Sequence, residues 1–209
     1  MLYLHGGAYV LGSPRTHMNV ASRMARQTGL PVLVPDYPLA PPSRCPAALT
    51  DARAAWAHLL DCGLPPERIV IAGDSAGGGL AVALAQSLAG EVEQPAAVVV
   101  FSPWVDLSLT GETICSLASA DPVLSVDYLG WAARTYLGGR IATDPEASPL
   151  FGDFAEFPPL LIQAGGREIL LDDAIRLATA ARATGTDVRL ELEPELWHAW
   201  QLFAGLLPE

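Results

Sequence analysis

Short apolar runs alternate with segments of helical period along most of this chain. Leu2-Tyr3-Leu4 is one such run and ends in the glycine turn His5-Gly6-Gly7, the pattern of a buried strand feeding a loop. Residues 16–28 carry Met18, Val20, Ala21, Met24 and Ala25 at roughly helical spacing, with Gly29 as a stop. Val32-Leu33-Val34, inside residues 31–35, predicts a second strand. The Pro-rich stretch 36–46 excludes a helix. Residues 47–60 are Ala/Leu-rich and helical. Ile69-Val70-Ile71-Ala72 predicts a third strand and residues 76–88 a small-residue helix, with only Gly73-Asp74-Ser75 between them. Residues 96–101, 160–163 and 188–192 predict three further strands, the last two separated by a helix over 172–184. Strands alternating with helices imply βαβ units and an α/β fold, a mostly parallel six-stranded sheet flanked by helices.

One stretch breaks this rhythm. From 102 to 159 there is no clear strand, only Pro, Gly, Ser and Asp punctuation around a helical segment at 126–137. Insertions of that length are usually lids or binding elements. The expected organisation is therefore a core of residues 1–101 and 160–209, with 102–159 inserted as a cap.

Composition narrows the class. The 209 residues are enough for one sizeable core, and 51% hydrophobic against 17% charged is an ordinary globular balance. A net charge of −11, with 12 scattered basic residues, argues against nucleic acid as a partner. Cys45, Cys62 and Cys115 have neither disulfide nor zinc-site spacing, so buried or half-buried free thiols are expected. The longest apolar run, 95–101, is too short for a membrane span, and no signal peptide precedes the first motif. A cytoplasmic location is the resulting expectation.

The candidate chemistry begins at Gly73-Asp74-Ser75-Ala76-Gly77, which fits G-x-S-x-G. A serine on a tight strand-to-helix turn is held in a strained conformation with Oγ exposed, and side chains two residues either side would collide with the turn. The helix behind it offers N–H groups to developing negative charge. His5-Gly6-Gly7-Ala8 follows the first strand, and consecutive glycines leave backbone N–H donors unobstructed. Gly6, Gly7 and Ala76 are the expected oxyanion donors.

Where a triad runs Ser, acid, His along the chain, His198 alone among the four histidines lies downstream of Ser75. It is the expected general base. His17, at a helix start, and His58, within an amphipathic helix, read as surface or packing residues. Glu168, Asp172 and Asp173 are the acid candidates. The two aspartates stand where carboxylates cap a helix, whereas Glu168 stands in the loop proper and is favoured.

Together these residues resemble the bacterial hormone-sensitive lipase family (family IV) of carboxylesterases, of α/β-hydrolase fold. The resemblance rests on His5-Gly6-Gly7-Ala8, Asp36-Tyr37-Pro38-Leu39-Ala40-Pro41, Gly73-Asp74-Ser75-Ala76-Gly77-Gly78, Ser148-Pro149-Leu150, Phe157-Pro158-Pro159 and the segment from Glu168 to His198. It implies hydrolysis of short-to-medium acyl esters, a small-molecule ester partner, and no cofactor or metal. The family's Asp-Pro-Leu-Arg-Asp register falls on Glu168-Ile169-Leu170-Leu171-Asp172, which puts Glu168 on the acid position of a Ser-Glu-His triad. It also implies Tyr128, Trp131 and Leu137 as pocket lining. Ala8 replaces a third glycine, Pro38 and Pro42 replace Arg and Glu, and Ala199-Trp200 replaces Gly-Phe.

Family members carry several dozen residues before the His-Gly-Gly strand and a helix after the position of Glu209. By that measure N-terminal and extreme C-terminal segments are lacking, and the sheet edge left exposed offers a homodimer contact. The same missing flanks motivate the alternative expectation, a catalytically silent hydrolase-fold protein that binds apolar carbonyl ligands.

Overall fold

The structure, a computed structural model, describes residues 1–90 and 94–205. The final positions of the expected core segment, 206–209, therefore lie outside the described residues. Five parallel strands, β1 (Leu2–Leu4), β2 (Val70–Asp74), β3 (Ala97–Phe101), β4 (Leu160–Gly165) and β5 (Val188–Glu193), form one sheet in chain order. The helices are α1 (Met18–Thr28), α2 (Ala47–Asp61), α3 (Ser75–Ser87), the single turn α4 (Thr113–Ser116), α5 (Val126–Leu137) and α6 (Leu171–Ala183).

The sixth strand expected at 31–35 is absent. Leu33 makes one parallel bridge to Leu2, through Tyr3 N–H to the Leu33 carbonyl at 2.8 Å and Leu33 N–H to the Met1 carbonyl at 2.9 Å. Pro31 and Pro35 bracket that bridge, and neither has an N–H with which to extend the ladder.

Alternation along the strands divides the core in two. Leu2, Leu4, Ile71, Val98, Val100, Leu160 and Ile162 point into the main core with the buried faces of α2, α3 and α6. Tyr3, Ala72 and Phe101 point the other way, against Val20 and Met24 of α1. The 102–159 segment is anchored in the main core by Trp104, Val105, Tyr136, Leu150 and Phe157. Its helix α5 starts at Ser125, whose Oγ accepts the Tyr128 N–H, and stops at left-handed Gly138.

α3 is the central element. Residues 75–85 are all buried, and none of its thirteen is charged, which is the pattern of a helix surrounded on every side. Small residues permit that approach: a Cβ on Gly77 would strike the Leu4 and His5 carbonyls, and one on Gly79 the Trp104 carbonyl. The C-terminal ends of β1 and β2 are thereby pressed against the N-terminus of α3.

Candidate active site

Ser75 opens α3 directly after β2, in the left-handed region at φ 53°. The turn is so tight that a Cβ on Gly73 would run into the Gly77 and Leu4 carbonyls, which is why the pattern needs glycine at both flanks. Trp104 N–H fixes the Ser75 carbonyl at 2.9 Å. The first N–H groups of any helix lack intrahelical acceptors, so the Ala76 amide is open beside Ser75.

The loop after β1 lies against this turn. Gly7 sits at φ 120°, where a Cβ would collide with the Leu11 carbonyl. Ala8, in place of a third glycine, accepts the left-handed region at φ 55°. Tyr37 O–H holds the loop through the His5 carbonyl at 2.5 Å. The Gly6 N–H, expected to face substrate, instead donates to Asp74 Oδ1 at 3.0 Å. Among the described residues, the Gly7 and Ala8 N–H groups donate to no protein acceptor.

The loops after β4 and β5 are stacked on each other. A Cβ on Gly165 would meet the Leu196 carbonyl and one on Gly166 the Pro194 carbonyl. Gly166 N–H donates to the Glu193 carbonyl at 2.8 Å and Arg167 N–H to the Leu196 carbonyl at 3.0 Å. This stacking brings Glu168, 0% exposed, to His198, 4% exposed. His198 Nδ1 lies 3.3 Å from Glu168 Oε2. The pair is at ion-pair distance but out of line for a hydrogen bond, and among the described residues neither Glu168 oxygen has a hydrogen bond elsewhere. His198 is followed by Ala199 at φ 51°, whose N–H donates to buried Ser102 Oγ at 2.9 Å.

The other two carboxylates are engaged away from the imidazole. Asp172 Oδ2 accepts the Glu112 N–H at 3.1 Å. Asp173 Oδ2 accepts the Val105 and Asp106 N–H groups, each at 2.9 Å. Burial pushes the Asp173 carboxyl up to about 7 despite those two donors.

Ser75 and His198 open on one cavity of about 540 Å³, whose walls include Gly6, Gly7, Gly12, Leu124, Tyr128 and Leu202. No hydrogen bond joins Ser75 to His198 among the described residues; catalytic contacts are often loose before substrate binds. No group of three or more His, Cys, Asp or Glu among those residues is placed to hold a metal ion.

A family model described as an alpha/beta hydrolase fold matches residues 1–202. An acetyl-hydrolase of Streptomyces hygroscopicus is 45% identical over 211 residues, spanning all of this chain and 70% of the relative. An esterase of Acinetobacter venetianus is 37% identical with the same coverage, 100% and 70%. The crystal structure of an esterase from the bacterial hormone-sensitive lipase family matches with a TM-score of 0.98 at 47% identity, over 100% of this chain and 70% of that one.

The chain belongs to the bacterial hormone-sensitive lipase family of α/β-hydrolases. Like the members of this family, it is a serine ester hydrolase.

Within this hydrolase the expected pocket residues divide. Tyr128 lines the cavity. Trp131, its neighbour on α5 with ring centroids 5.9 Å apart, is 48% exposed and outside it. Leu137 is buried in the main core. Two of the three cysteines, Cys62 and Cys115, are exposed rather than buried; Cys45 is buried.

Sequence reasoning also missed residues of the cavity on which Ser75 and His198 open. His17, read as a surface or packing residue, is buried and lines the cavity. Asp74 is a buried carboxylate directly before Ser75, and its Oδ1 also accepts the Tyr3 O–H at 2.8 Å. Leu11, Gly12 and Thr16 from one loop, and Leu202 and Phe203 after His198, complete the walls. The G-x-S-x-G motif marks Asp74 as adjacent to the serine, but no local pattern links it to His17. Among the described residues no helix is long and apolar enough to cross a membrane.

Proposed function

We propose that this hydrolase cleaves carboxylic esters of short-to-medium acyl chains through a covalent acyl-enzyme, with Ser75 as nucleophile, His198 as general base and Glu168 as the acid that orients it. His198 takes the Ser75 proton as Oγ attacks the ester carbonyl, then returns it to the leaving alkoxide. Water enters by the same route and releases the acid. The oxyanion faces the amides of Gly7 and Ala76, assisted by Ala8. Gly6 acts indirectly, because its N–H is bound to Asp74.

The observation that carries this reading is the convergence of three separate loops: Ser75 and His198 on one cavity, with Glu168 3.3 Å behind the imidazole. A cavity of about 540 Å³ suits a small ester. The 102–159 segment contributes Val123, Leu124 and Tyr128 to its wall, and we read it as the cap over the acyl group. The relative named as an acetyl-hydrolase, at 45% identity, agrees with a short acyl chain.

The test is a p-nitrophenyl ester series of increasing acyl length, run beside Ser75→Ala, with a fluorophosphonate probe on both proteins. Turnover should peak at the short acyl chains and fall by roughly 10⁴-fold in Ser75→Ala, with labelling lost. Equal rates from the two proteins would refute the reading and favour a silent binding protein.

A further inference from the structure

Asp74 poses an electrostatic problem. It is a buried carboxylate adjoining the nucleophile, beside the place where the reaction creates a second negative charge. Charges in such a setting interact far more strongly than in water. Oδ1 is satisfied by the Tyr3 O–H at 2.8 Å and the Gly6 N–H at 3.0 Å. Among the described residues, Oδ2 has a single partner, His17 Nε2 at 3.4 Å.

We propose that His17 is a positioning residue for ester hydrolysis: as an imidazolium bound to Asp74, it offsets the carboxylate beside the oxyanion and holds Asp74 on the Gly6 amide, so that the next amide, Gly7, points at substrate. The proposal rests on the reading of Ser75 as nucleophile.

The surroundings of the ring call for two protons. Nε2 faces a carboxylate oxygen, which only accepts. Nδ1 lies 2.9 Å from Thr16 Oγ1 and 3.4 Å from the Ser13 carbonyl. The Thr16 hydroxyl hydrogen is directed to that same carbonyl at 2.9 Å, so Nδ1 also meets acceptors. Burial alone would push the His17 imidazole down. The hydrogen bond and charge of Asp74, with the Ser13 carbonyl, more than reverse this and hold it above its ordinary value.

The neighbouring groups fit one cation and not two. His5, with its ring centroid 5.3 Å from that of His17, is pushed down by burial. Its Nδ1 donates to the Gly6 carbonyl at 2.8 Å, and its Nε2 is buried without a partner, which is the neutral tautomer. Tyr3 of β1 faces the other side of the His17 ring with centroids 6.3 Å apart. Two further titratable groups stand on the cavity wall: the Tyr128 phenol, which burial pushes up, and His198, which must be neutral to serve as base.

The two histidines therefore need opposite protonation. Turnover falls at high pH as His17 loses its proton. The test is the kcat/KM profile for p-nitrophenyl acetate from about pH 5.5 to about 9.5, corrected for spontaneous hydrolysis, on the parent and on His17→Gln. Glutamine can still donate one N–H to Asp74 but carries no charge. The expected result is a kcat roughly 10-fold below the parent at neutral pH and loss of the alkaline limb. In the unmodified protein, the His17 ring followed by NMR should titrate with the midpoint of that limb. An active parent whose alkaline limb persists in His17→Gln, or whose His17 midpoint departs from the limb, overturns the inference alone. A parent inert toward esters and unlabelled at Ser75 overturns it together with the hydrolase reading. Should His17→Gln fail to fold, the NMR midpoint on the unmodified protein decides.

Discussion

The two arms of the site are held by different means. The nucleophile arm is set by backbone against backbone: Gly73 and Gly77 have carbonyls where side chains would be, and α3 is buried on every face. The base arm has backbone packing of its own, with Gly165 and Gly166 against the Leu196 and Pro194 carbonyls, and adds a few directional contacts. His198 depends on the Glu168 approach at 3.3 Å, on the Ala199 N–H to Ser102 Oγ at 2.9 Å, and on stacked loops whose tails are half exposed. The first arm is held by close packing alone; the second adds particular atoms that attract. Steric control tolerates no added atom but is indifferent to charge. Directional control is the reverse.

The sharpest way to break this contrast is a single methyl group on the steric arm. Gly77→Ala places Cβ into the Leu4 and His5 carbonyls, which are backbone and cannot rotate away. A loss of at least about 4 kcal/mol in urea denaturation is expected, with fluorophosphonate labelling of Ser75 abolished. Ala199→Gly, a change of the same size on the base arm, relaxes a residue already at φ 51° and should stay within about 1 kcal/mol of the parent. Similar costs for the two would erase the distinction.

The same contrast explains what was legible in the sequence. The elbow could be read because its cause is local: two glycines around a serine between a β-branched run and a small-residue helix leave one workable geometry. Five of the six expected strands formed, and the sixth, at 31–35, shrank to a bridge because its flanking prolines stop the ladder. Glu168 beside His198 was anticipated from chain order and the family register. The His17–Asp74 contact was not, since it joins positions 57 residues apart through side chains alone. Nor did helical period separate Tyr128 from Trp131, which share a face of α5 while only the first reaches the cavity.

Charge should matter on the base arm, and the acid is where to look. Glu168→Gln keeps the shape of a buried side chain but removes the charge opposite His198 Nδ1. We expect kcat to fall by about 10²- to 10³-fold with little change in KM. Asp172→Asn alters a carboxylate held by the Glu112 amide and should stay within about threefold of the parent. Steady-state kinetics on both variants, with folding checked by circular dichroism, decides between them. A larger loss in Asp172→Asn would mean that Glu168 is merely a neighbour of the imidazole.

The smallest effect tests whether directional contacts act through position. Ser102 is not among the residues of the cavity wall; its Oγ accepts the Ala199 N–H one residue beyond His198, while its own N–H is fixed to the Gln163 carbonyl at 2.7 Å. Ser102→Ala removes one oxygen and leaves a buried amide without an acceptor, a cost of about 1–2 kcal/mol in unfolding free energy. The freed loop lets the imidazole drift from Ser75, so kcat and the fluorophosphonate labelling rate should fall together by about 10-fold, with KM unchanged. Lower stability with kcat and labelling intact would show that His198 is held by its stacked loops alone, with the directional contacts adding nothing to its position.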